Sequence, residues 1–331
     1  MSTADLAGHL QRFFTDRLLG QLDASPHTVA SYRDTFRLLL KFAVKTCRRQ
    51  ADDLKVEDLD IALMGSFLNH LENDRRNTAR SRNSRLSAIH AFFGYVCVND
   101  PALAGHCQRV LAIPFKRYER GPVEFLTAEE TTALLKAPNT TTWLGRRDRV
   151  LLQVALQTGL RNSELIRLRR EDVQLGTGAH VRCLGKGRKA RCTPLRSDVV
   201  SDLSQWLAHR PSDPKTPVFP TTTGNPMSSD ALQRMVARHI KTAKQACPTL
   251  EGKRVTPHTL RHTTAMNLLH RGVDITVIAL WLGHESIETT QIYIHADMEL
   301  KEKALARTTK CNLPPTRYRA PDRLLAFLEN L

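Results

Sequence analysis

Six side chains in the second half of the chain could together cleave a phosphodiester. They are Arg161, Lys186, His258, Arg261, His284 and Tyr293. Cations can neutralise the non-bridging oxygens of a phosphate, an acid can protonate the leaving oxygen, and a tyrosine phenol can attack phosphorus. No cluster of carboxylates accompanies the six in the sequence, so we expect the reaction to need neither a metal ion nor another cofactor.

The segment TGLRNSEL at 158–165 places Arg161 at the entrance of a predicted helix, with Asn162 or Ser163 as its capping residue. The amides of a helix start and a guanidinium fork both suit a phosphate oxygen. Glu164 lies three residues further on and could orient the guanidinium. The alternative is an ordinary surface arginine that follows a helix-ending glycine.

The segment LGKGRKAR at 184–191 predicts a hairpin turn with Lys186 at its tip, between two glycines. A lysine there can reach into a groove and protonate a leaving 5′ oxygen if its surroundings lower its pKa. The alternative is a solvated basic turn that only contacts a phosphate backbone. That is the role we predict for Arg188, Lys189 and Arg191.

The segment PHTLRHT at 257–263 sets His258 and Arg261 three residues apart, on one face of a helix start. His258 and His262 are four residues apart, a spacing that could also bind zinc. The zinc-protease pattern requires a glutamate directly after the first histidine. Thr259 occupies that position, so the sequence disfavours a zinc site.

The segment LGHESIETTQIYIH at 282–295 brings His284 and Tyr293 close together in the sequence. Taken alone, Tyr293 is better interpreted as a half-buried aromatic residue that packs between Ile292 and Ile294. Four such motifs in order within one basic domain form a more specific signal than any of them singly, and they favour phosphodiester chemistry.

The charge of the chain indicates a polyanionic partner. The 331 residues carry a formal net charge of +16, of which residues 1–115 contribute +3 and residues 122–331 contribute +11. Such an excess favours nucleic acid, and it is concentrated where the candidate chemistry lies. We find no apolar run of the roughly 20 residues that a membrane helix needs and no signal-peptide pattern. The seven cysteines lack a Cys-x-x-Cys pair, which is typical of a protein in a reducing cytoplasm.

Helical periodicity and turn signals predict two domains joined by a linker. Residues 1–112 are expected to form a helical bundle, and residues 113–123 an exposed basic linker. Residues 124–310 are expected to form an α+β domain with a small hairpin, and residues 311–331 a tail that contains an amphipathic helix. The predicted fold class is therefore mainly α with a small β-sheet.

Basic residues outside the six are candidates for contacts with DNA. They are Arg80, Arg82 and Arg85 on the fourth predicted helix, Lys116 and Arg117 in the linker, and Arg188 and Lys189 in the hairpin turn. Most of the affinity would come from phosphate contacts, and it would fall steeply with salt. The competing interpretation for the three helical arginines is a solvated face without a ligand.

These motifs resemble those of the tyrosine recombinases, the phage integrase family that includes the Xer recombinases. TGLRNSELIRLRREDV is similar to the family's first arginine segment, PHTLRHTTAMNLL to its second, and LGHESIETTQIYIH to its nucleophile segment. The likeness covers about residues 125–309. The helices that contain TVASYRDTFRLLLKFA and RLSAIHAFF resemble the family's core-binding domain less specifically. The implied architecture is a helical core-binding domain followed by an α+β catalytic domain.

The resemblance implies a mechanism and a role for each residue. Tyr293 would attack the scissile phosphate, form a 3′-phosphotyrosyl link and release a 5′-hydroxyl. Arg161 and Arg261 would hold the non-bridging oxygens, with His284 as a further donor. His258 would accept the proton of the tyrosine. Because the covalent link conserves the energy of the phosphodiester, a second 5′-hydroxyl could reverse the attack without ATP.

The same resemblance implies the partners. Double-stranded DNA would be the substrate, and two DNA sites would be joined by a homotetramer whose subunits exchange C-terminal helices. The rival arrangement is a tail helix that folds back on its own domain. DNA-bending proteins or a partner recombinase could assist, and the enzyme would act in the cytoplasm, on the nucleoid, with no membrane involved.

Two other functions remain compatible with these residues. A type IB topoisomerase uses the same chemistry to relax supercoiled DNA without a specific site. A regulator could use the fold as a DNA clamp without cleavage, although the complete set of six residues argues against it. The Xer-like motifs favour recombination in integration, excision or resolution.

Overall fold

The computed structural model describes residues 5–119, 123–185, 190–209, 213–284 and 286–296, with side chains as far as Tyr293. The chain divides into two compact units, residues 1–121 and 122–331. The assignment of 113–123 as a linker stays a prediction. The predicted tail helix at 311–331 lies outside the described residues. Within the described part, no helix combines the length and apolar character that crossing a bilayer requires.

The first unit is helical. Its helices are α1 (Leu6–Arg12, continued by a π-helical turn at Phe13–Gln21), α2 (Pro26–Cys47), α3 (Ile61–Asn73), α4 (Ala79–Asn99) and α5 (Ala104–Leu111). The hydroxyl of Ser25 accepts from the amide of Thr28 and starts α2, as its position before a proline predicts. A short 3₁₀ turn occupies Val56–Asp58, and Asp60 caps α3 by accepting from the amide of Leu63.

Aromatic side chains hold the core of the first unit together. Phe13, Phe36 and Phe92 are buried, and their ring centroids lie 5.2–6.3 Å apart in edge-to-face arrangements. Each buried phenylalanine contributes about 1.5–3 kcal/mol through the area it removes from water. These rings connect the π-helical turn to α2 and α4, so a contiguous core forms from helices that are distant in sequence.

The second unit combines helices with one small sheet. Its elements are α6 (Ala128–Lys136), α7 (Trp143–Thr158), α8 (Asn162–Arg167), β1 (Val173–Gln174), β2 (His180–Leu184), β3 (Ala190–Pro194), α9 (Ser197–Ala208), α10 (Ser229–Ala246), α11 (Pro257–His270), α12 (Ile275–Leu282) and α13 (Glu288–Ala296). The strands are antiparallel in the order β1-β2-β3, and Cys183 pairs with Arg191. The two strands of the predicted hairpin are therefore present and paired, with an additional short strand on their edge, and the turn between them lies outside the described residues.

Helix α7 is the buried centre of this unit, as its run of apolar residues predicts. Thr142 caps its start by accepting from the amide of Gly145. Gly159 ends it in the left-handed region at φ +62°. A Cβ on Gly159 would stand 2.6 Å from Leu282 Cδ2, so only glycine allows α12 to approach α7 this closely. That approach brings the end of α12 beside Arg161, which lies two residues after Gly159.

Candidate active site

Four of the six predicted residues meet in the second unit. Arg161 precedes α8, Arg261 lies on α11, His284 follows α12, and Tyr293 lies on α13. The short loops between α11, α12 and α13 and the glycine contact at the end of α7 bring these elements together. Lys186, Arg188 and Lys189 lie outside the described residues, so their predicted roles stay predictions.

The two arginines bind neighbouring carbonyls of one turn. Arg261 donates from Nη2 to the carbonyl of Leu282 (2.7 Å) and from Nη1 to that of Gly159 (2.6 Å). Arg161 donates from Nη2 to the carbonyl of Gly283 (2.7 Å). The turn at the end of α12 is thus held by both guanidinium groups, which places His284 directly beside two fixed positive charges.

Arg261 is buried among the elements that it connects. It is 3% exposed, and burial together with the nearby charge of Arg161 lowers its pKa to about 10. The group therefore stays protonated at neutral pH. A buried cation that is hydrogen-bonded mainly to carbonyls keeps an uncompensated charge, so the site attracts an anion such as a phosphate.

Glu164 organises the cationic side of the site. Its carboxylate accepts from the amide of Arg161 (2.7 Å) and from Arg161 Nη1 (3.0 Å), as the sequence predicted. It also accepts two bonds from Arg191, at 3.0 and 2.7 Å. Burial alone would raise the pKa of Glu164, but the bonds from Arg191 and from the Arg161 amide hold that pKa below its usual value.

The predicted role of Arg191 as a solvated backbone contact is wrong. Its side chain is 11% exposed and forms a bidentate ion pair with Glu164. The cause is the register of the hairpin, which pairs Arg191 with the buried Cys183 and turns its guanidinium toward α8. A Cβ on Gly283 would lie 2.7 Å from Arg191 Nη1, so the same side chain also lies against the α12 turn.

We expect Glu164→Gln to lower the free energy of unfolding by about 3–5 kcal/mol, because it leaves Arg191 without its counter-charge in a buried site. Urea unfolding at neutral pH measures this value. The matched control is Asp198→Asn, which breaks an exposed ion pair with Arg196 and should cost about 0–1 kcal/mol. A Glu164→Gln protein as stable as the control would contradict the proposed importance of this carboxylate.

The pH dependence of this difference has a definite sign. The folded protein holds the pKa of Glu164 below the unfolded value of 4.5, so the carboxylate stabilises the fold fully above that pH. The stabilisation is lost as the pH falls through the lower, folded value. The gap between wild type and Glu164→Gln should therefore be largest near neutral pH and shrink in acid.

Among the described residues, Tyr293 is the largest of the most deeply buried side chains, at 1% exposure. It belongs to a buried apolar cluster that includes Met266 of α11 and Ile278 and Leu282 of α12. The interpretation of Tyr293 as a half-buried aromatic between its neighbours thus understates its burial. Burial raises the pKa of the phenol, and the charges of Arg261 and Arg161 oppose this rise. The phenol is therefore neutral at rest, beside the two cations that would stabilise its anion.

The phenol contacts a residue that the sequence had not placed in the catalytic set. Its oxygen lies 2.9 Å from His262 Nδ1. His262 is half-buried, and burial, followed by the nearby His258 and Arg261, lowers its pKa to about 4. The zinc-like i, i+4 spacing was the available signal, because it puts His262 and His258 on one face of α11.

His258 stands one ring further out. It is exposed, and its ring stacks on that of His262 with centroids 5.9 Å apart. On the other side of the phenol, the rings of His284 and Tyr293 are nearly parallel at 6.5 Å. The three histidines and the tyrosine therefore form a row of four rings, which we call the aromatic row: His258, His262, Tyr293 and His284. The phenol is in hydrogen-bond contact with His262, and the role of His258 as proton acceptor stays a prediction.

His284 is positioned as a neutral donor. Its Nδ1 lies 2.6 Å from Thr290 Oγ1. Burial, together with the charges of Arg261 and Arg161, lowers its pKa to about 4. When Thr290 donates its hydroxyl proton to Nδ1, the ring carries its own proton on Nε2 and can donate it to a phosphate oxygen. Within the described ranges, no three His, Cys, Asp or Glu side chains are grouped as metal ligands would be.

The first unit contains the predicted DNA-contact residues of the fourth helix. Arg80 is exposed on α4. Arg82 is 7% exposed, donates to the carbonyl of Pro114 (3.2 Å) and lies 3.8 Å from Glu72. Arg85 is half-buried and donates to Thr35 Oγ1 (3.0 Å). Arg82 thus has an internal structural role, which counts against a direct contact between this side chain and DNA.

Lys116 and Arg117 are both exposed. The backbone of Lys116 is fixed to α4, because Asn83 Oδ1 accepts from its amide (3.0 Å) and Asn83 Nδ2 donates to its carbonyl (2.7 Å). Its ammonium group donates to Glu72 (2.7 Å). The beginning of the predicted linker is therefore anchored to the first unit rather than free.

Two family models match this chain. The model described as "Phage integrase family" matches residues 124–299, which include the whole candidate site. The model described as "Phage integrase, N-terminal SAM-like domain" matches residues 11–97.

Curated relatives match over most of the chain. The integrase/recombinase y4rC of Sinorhizobium fredii is 51% identical over 328 residues, which are 99% of each chain. The tyrosine recombinase XerC of Pelobacter propionicus is 33% identical over 298 residues, covering 88% of this chain and 94% of its own.

A solved structure shares the fold. The XerH site-specific recombinase bound to palindromic difH substrate, in a post-cleavage complex, superposes with a TM-score of 0.67 at 21% identity, over 86% of this chain and 81% of that one. The predicted fold class, a helical core-binding domain and an α+β catalytic domain with a small sheet, is confirmed by this likeness and by the two family models.

Proposed function

This chain belongs to the phage integrase family of tyrosine recombinases, enzymes that cleave and rejoin DNA strands, and we propose that it recombines DNA at specific sites with Tyr293 as the nucleophile. The main support is that the phenol lies near Arg161, Arg261 and His284, which gather at the turn that ends α12. Phosphoryl transfer to a phenol needs cations near the phosphate and a donor beside them, and this arrangement supplies both.

The roles of the residues follow from their surroundings. Arg161 and Arg261 hold the non-bridging oxygens of the scissile phosphate, and the neutral ring of His284 donates a further hydrogen bond. Attack by Tyr293 forms a 3′-phosphotyrosyl link and expels a 5′ oxygen, to which Lys186 gives a proton. The reverse attack by another 5′-hydroxyl rejoins the strands, so no external energy source is needed.

For His258 we propose a donor role in place of the proton-acceptor role that the resemblance implied. It occupies the exposed end of the aromatic row, where bound DNA can reach it. It therefore belongs to the catalytic set as a donor to the phosphate, while the phenol is in contact with His262. Contacts with the DNA backbone are proposed for Arg188 and Lys189 of the second unit and, separately, for Arg80, Arg85, Lys116 and Arg117 of the first unit.

The proposal is tested by trapping the covalent intermediate. Duplexes that bind the protein are selected from a pool with a randomised central segment, and nicks are then placed at successive positions in the selected sequences. When cleavage occurs beside a nick, the short fragment diffuses away and the enzyme stays linked to the 3′ end. Mapping the linked ends gives the cleaved position and its polarity.

The outcomes of that experiment separate the candidate functions. Linked 3′ ends at one defined position support site-specific recombination. Relaxation of plasmid DNA with linked ends at many unrelated positions would indicate a topoisomerase instead. Binding without any linked end would indicate a DNA-binding regulator and would overturn the proposal.

The proposed assembly is a tetramer that joins two DNA sites through exchange of C-terminal helices. The sequence 321–331 places leucines and a phenylalanine on one stripe of a helix. The second unit offers an apolar surface on α12, where Val277 and Leu280 are exposed three residues apart. A helix from a neighbouring subunit would cover such side chains and couple the active sites. DNA-bending proteins or a partner recombinase could assist at the nucleoid, where the proposed substrate lies.

Deleting residues 321–331 should abolish the tetramer on DNA while leaving the binding of single sites within about a factor of two, because phosphate contacts provide most of that affinity. Native gel shifts with one and two sites measure both properties. Asn330→Ala, which falls off the apolar stripe of the predicted helix, is the matched control and should assemble normally. Unchanged tetramer formation by the truncated protein would rule out the exchange of C-terminal helices.

A further inference from the structure

We infer that His262 is a catalytic residue that accepts the phenolic proton of Tyr293 as the phenol attacks phosphorus, a role that rests on the proposed function of Tyr293. His262 Nδ1 lies 2.9 Å from the phenolic oxygen, which is hydrogen-bond distance. The two rings meet edge-on, with centroids 5.6 Å apart at 63°. A ring nitrogen of His262 is thus aimed at the reacting atom itself.

The burial of Tyr293 makes an internal acceptor necessary. At 1% exposure the side chain has almost no contact with bulk water that could take its proton. A phenol has an ordinary pKa of about 10, so it needs a base or strong local cations to react at neutral pH. Arg261 and Arg161 supply the cations, and His262 is the titratable side chain in hydrogen-bond contact with the phenol.

His262 is kept in the form that can accept a proton. Its pKa is lowered to about 4, so the ring is neutral at physiological pH. The charged and titratable groups around it are His258 and Arg261 of α11, Tyr293 of α13, and His284, which precedes α13. A neutral ring that carries its proton on Nε2 presents the lone pair of Nδ1 to the phenol.

The arrival of DNA makes His262 a stronger base. The scissile phosphate brings negative charge beside Arg261, which reduces the repulsion that this cation exerts on a protonated His262 ring. The pKa of His262 therefore rises when substrate binds, toward the range in which a general base is effective. The free protein keeps its phenol protonated, and the bound substrate prepares the acceptor.

The proton and the bonds balance in each direction. In cleavage, the O–H bond of Tyr293 breaks, its proton passes to His262 Nδ1, the phenolic oxygen bonds to phosphorus, and the bond to the 5′ oxygen breaks. Lys186 gives that leaving oxygen its proton. In rejoining, a 5′-hydroxyl loses its proton to Lys186 and attacks phosphorus, and His262 returns its proton to the departing phenolic oxygen.

The test is a single-turnover cleavage assay with the full chain and a nicked duplex of the selected site. His262→Asn keeps a hydrogen-bonding group near the position of Nδ1 but cannot accept a proton, and we expect it to slow cleavage by roughly 10²–10⁴-fold. His270→Asn, an exposed position on the same helix, is the matched control and should cleave at the wild-type rate. Thermal unfolding of each protein shows whether the fold is kept.

Two further readouts separate a base from a merely structural residue. The wild-type rate should fall in acid as His262 becomes protonated, and His262→Asn should lack this fall. Free imidazoles of graded basicity should restore cleavage to His262→Ala, and the restored rate should rise with their pKa. A substrate with sulfur as the bridging leaving atom needs no acid, so the defect of His262→Asn should persist with it.

The outcomes distinguish failure of the His262 inference from failure of the proposed role of Tyr293 as nucleophile. If Tyr293→Phe forms no adduct while His262→Asn cleaves at the wild-type rate, His262 is not the base and the nucleophile stands. If His262→Asn is slow but keeps the wild-type pH profile, and imidazole does not restore His262→Ala, the histidine only positions the phenol and the inference is overturned. If Tyr293→Phe still forms an adduct, the proposed function fails first.

Discussion

Tyr293→Phe should form no covalent adduct with a nicked duplex while binding the same DNA as tightly as wild type. The change removes the phenolic oxygen and leaves the ring, which belongs to a buried apolar cluster with Met266, Ile278 and Leu282. Without a nucleophile, single-turnover cleavage should fall by roughly 10⁴-fold or more. Denaturing gels of the protein–DNA adduct, together with gel shifts at several salt concentrations, measure the two properties separately.

The stability of Tyr293→Phe provides its internal control. The mutant loses one hydrogen bond, to His262, and keeps its buried apolar area, so the free energy of unfolding should change by only about 1 kcal/mol. A protein that folds and binds DNA yet makes no adduct places the defect in the chemistry. An adduct that persists in this variant would show that another residue attacks the phosphate.

Local signals in the sequence predicted much of the catalytic unit correctly. Gly159 ends α7 in the left-handed region, as its position in the sequence predicts. The i, i+3 relation of His258 and Arg261 and the pairing of Arg161 with Glu164 follow from helix geometry alone. These features depend on residues within one helical turn of each other, where the physics of the backbone sets the result.

The features that sequence reasoning missed depend on packing between distant segments. Arg191 meets Glu164 because the hairpin register turns it inward, and His262 meets a phenol that lies 31 residues further along the chain. No local rule gives either contact. Arg82 is a different case, since it stands four residues before the buried Leu86 of α4 and so lies on the apolar stripe. That spacing was a signal for its burial.

Arg261→Lys should reduce single-turnover cleavage by roughly 10²–10³-fold, the range for losing a fixed donor at a developing negative charge. Arg261 fits its site because a planar fork can bind the carbonyls of Gly159 and Leu282 together and still carry its charge. A lysine has one ammonium group on a flexible stem and cannot span both carbonyls. The turn that holds His284 would then lose one of its two guanidinium anchors.

Burial adds a second, pH-dependent penalty that arginine avoids. The site lowers even the pKa of Arg261, to about 10, and the ordinary pKa of lysine is about 10.4, roughly two units or more below that of arginine. The lysine variant should therefore lose its charge at a lower pH than the native residue, so its remaining activity should decline as the pH rises through neutrality, where Arg261 stays charged.

Rates measured across that range, with the exposed Arg271→Lys as the matched control, separate the two effects. A uniform defect at all pH values would assign the loss to geometry alone, and a wild-type rate would mean that Arg261 does not hold the phosphate. Arg161 is half-exposed and already paired with Glu164. Arg261 is buried, so we expect its site to require the guanidinium group itself and not merely a positive charge.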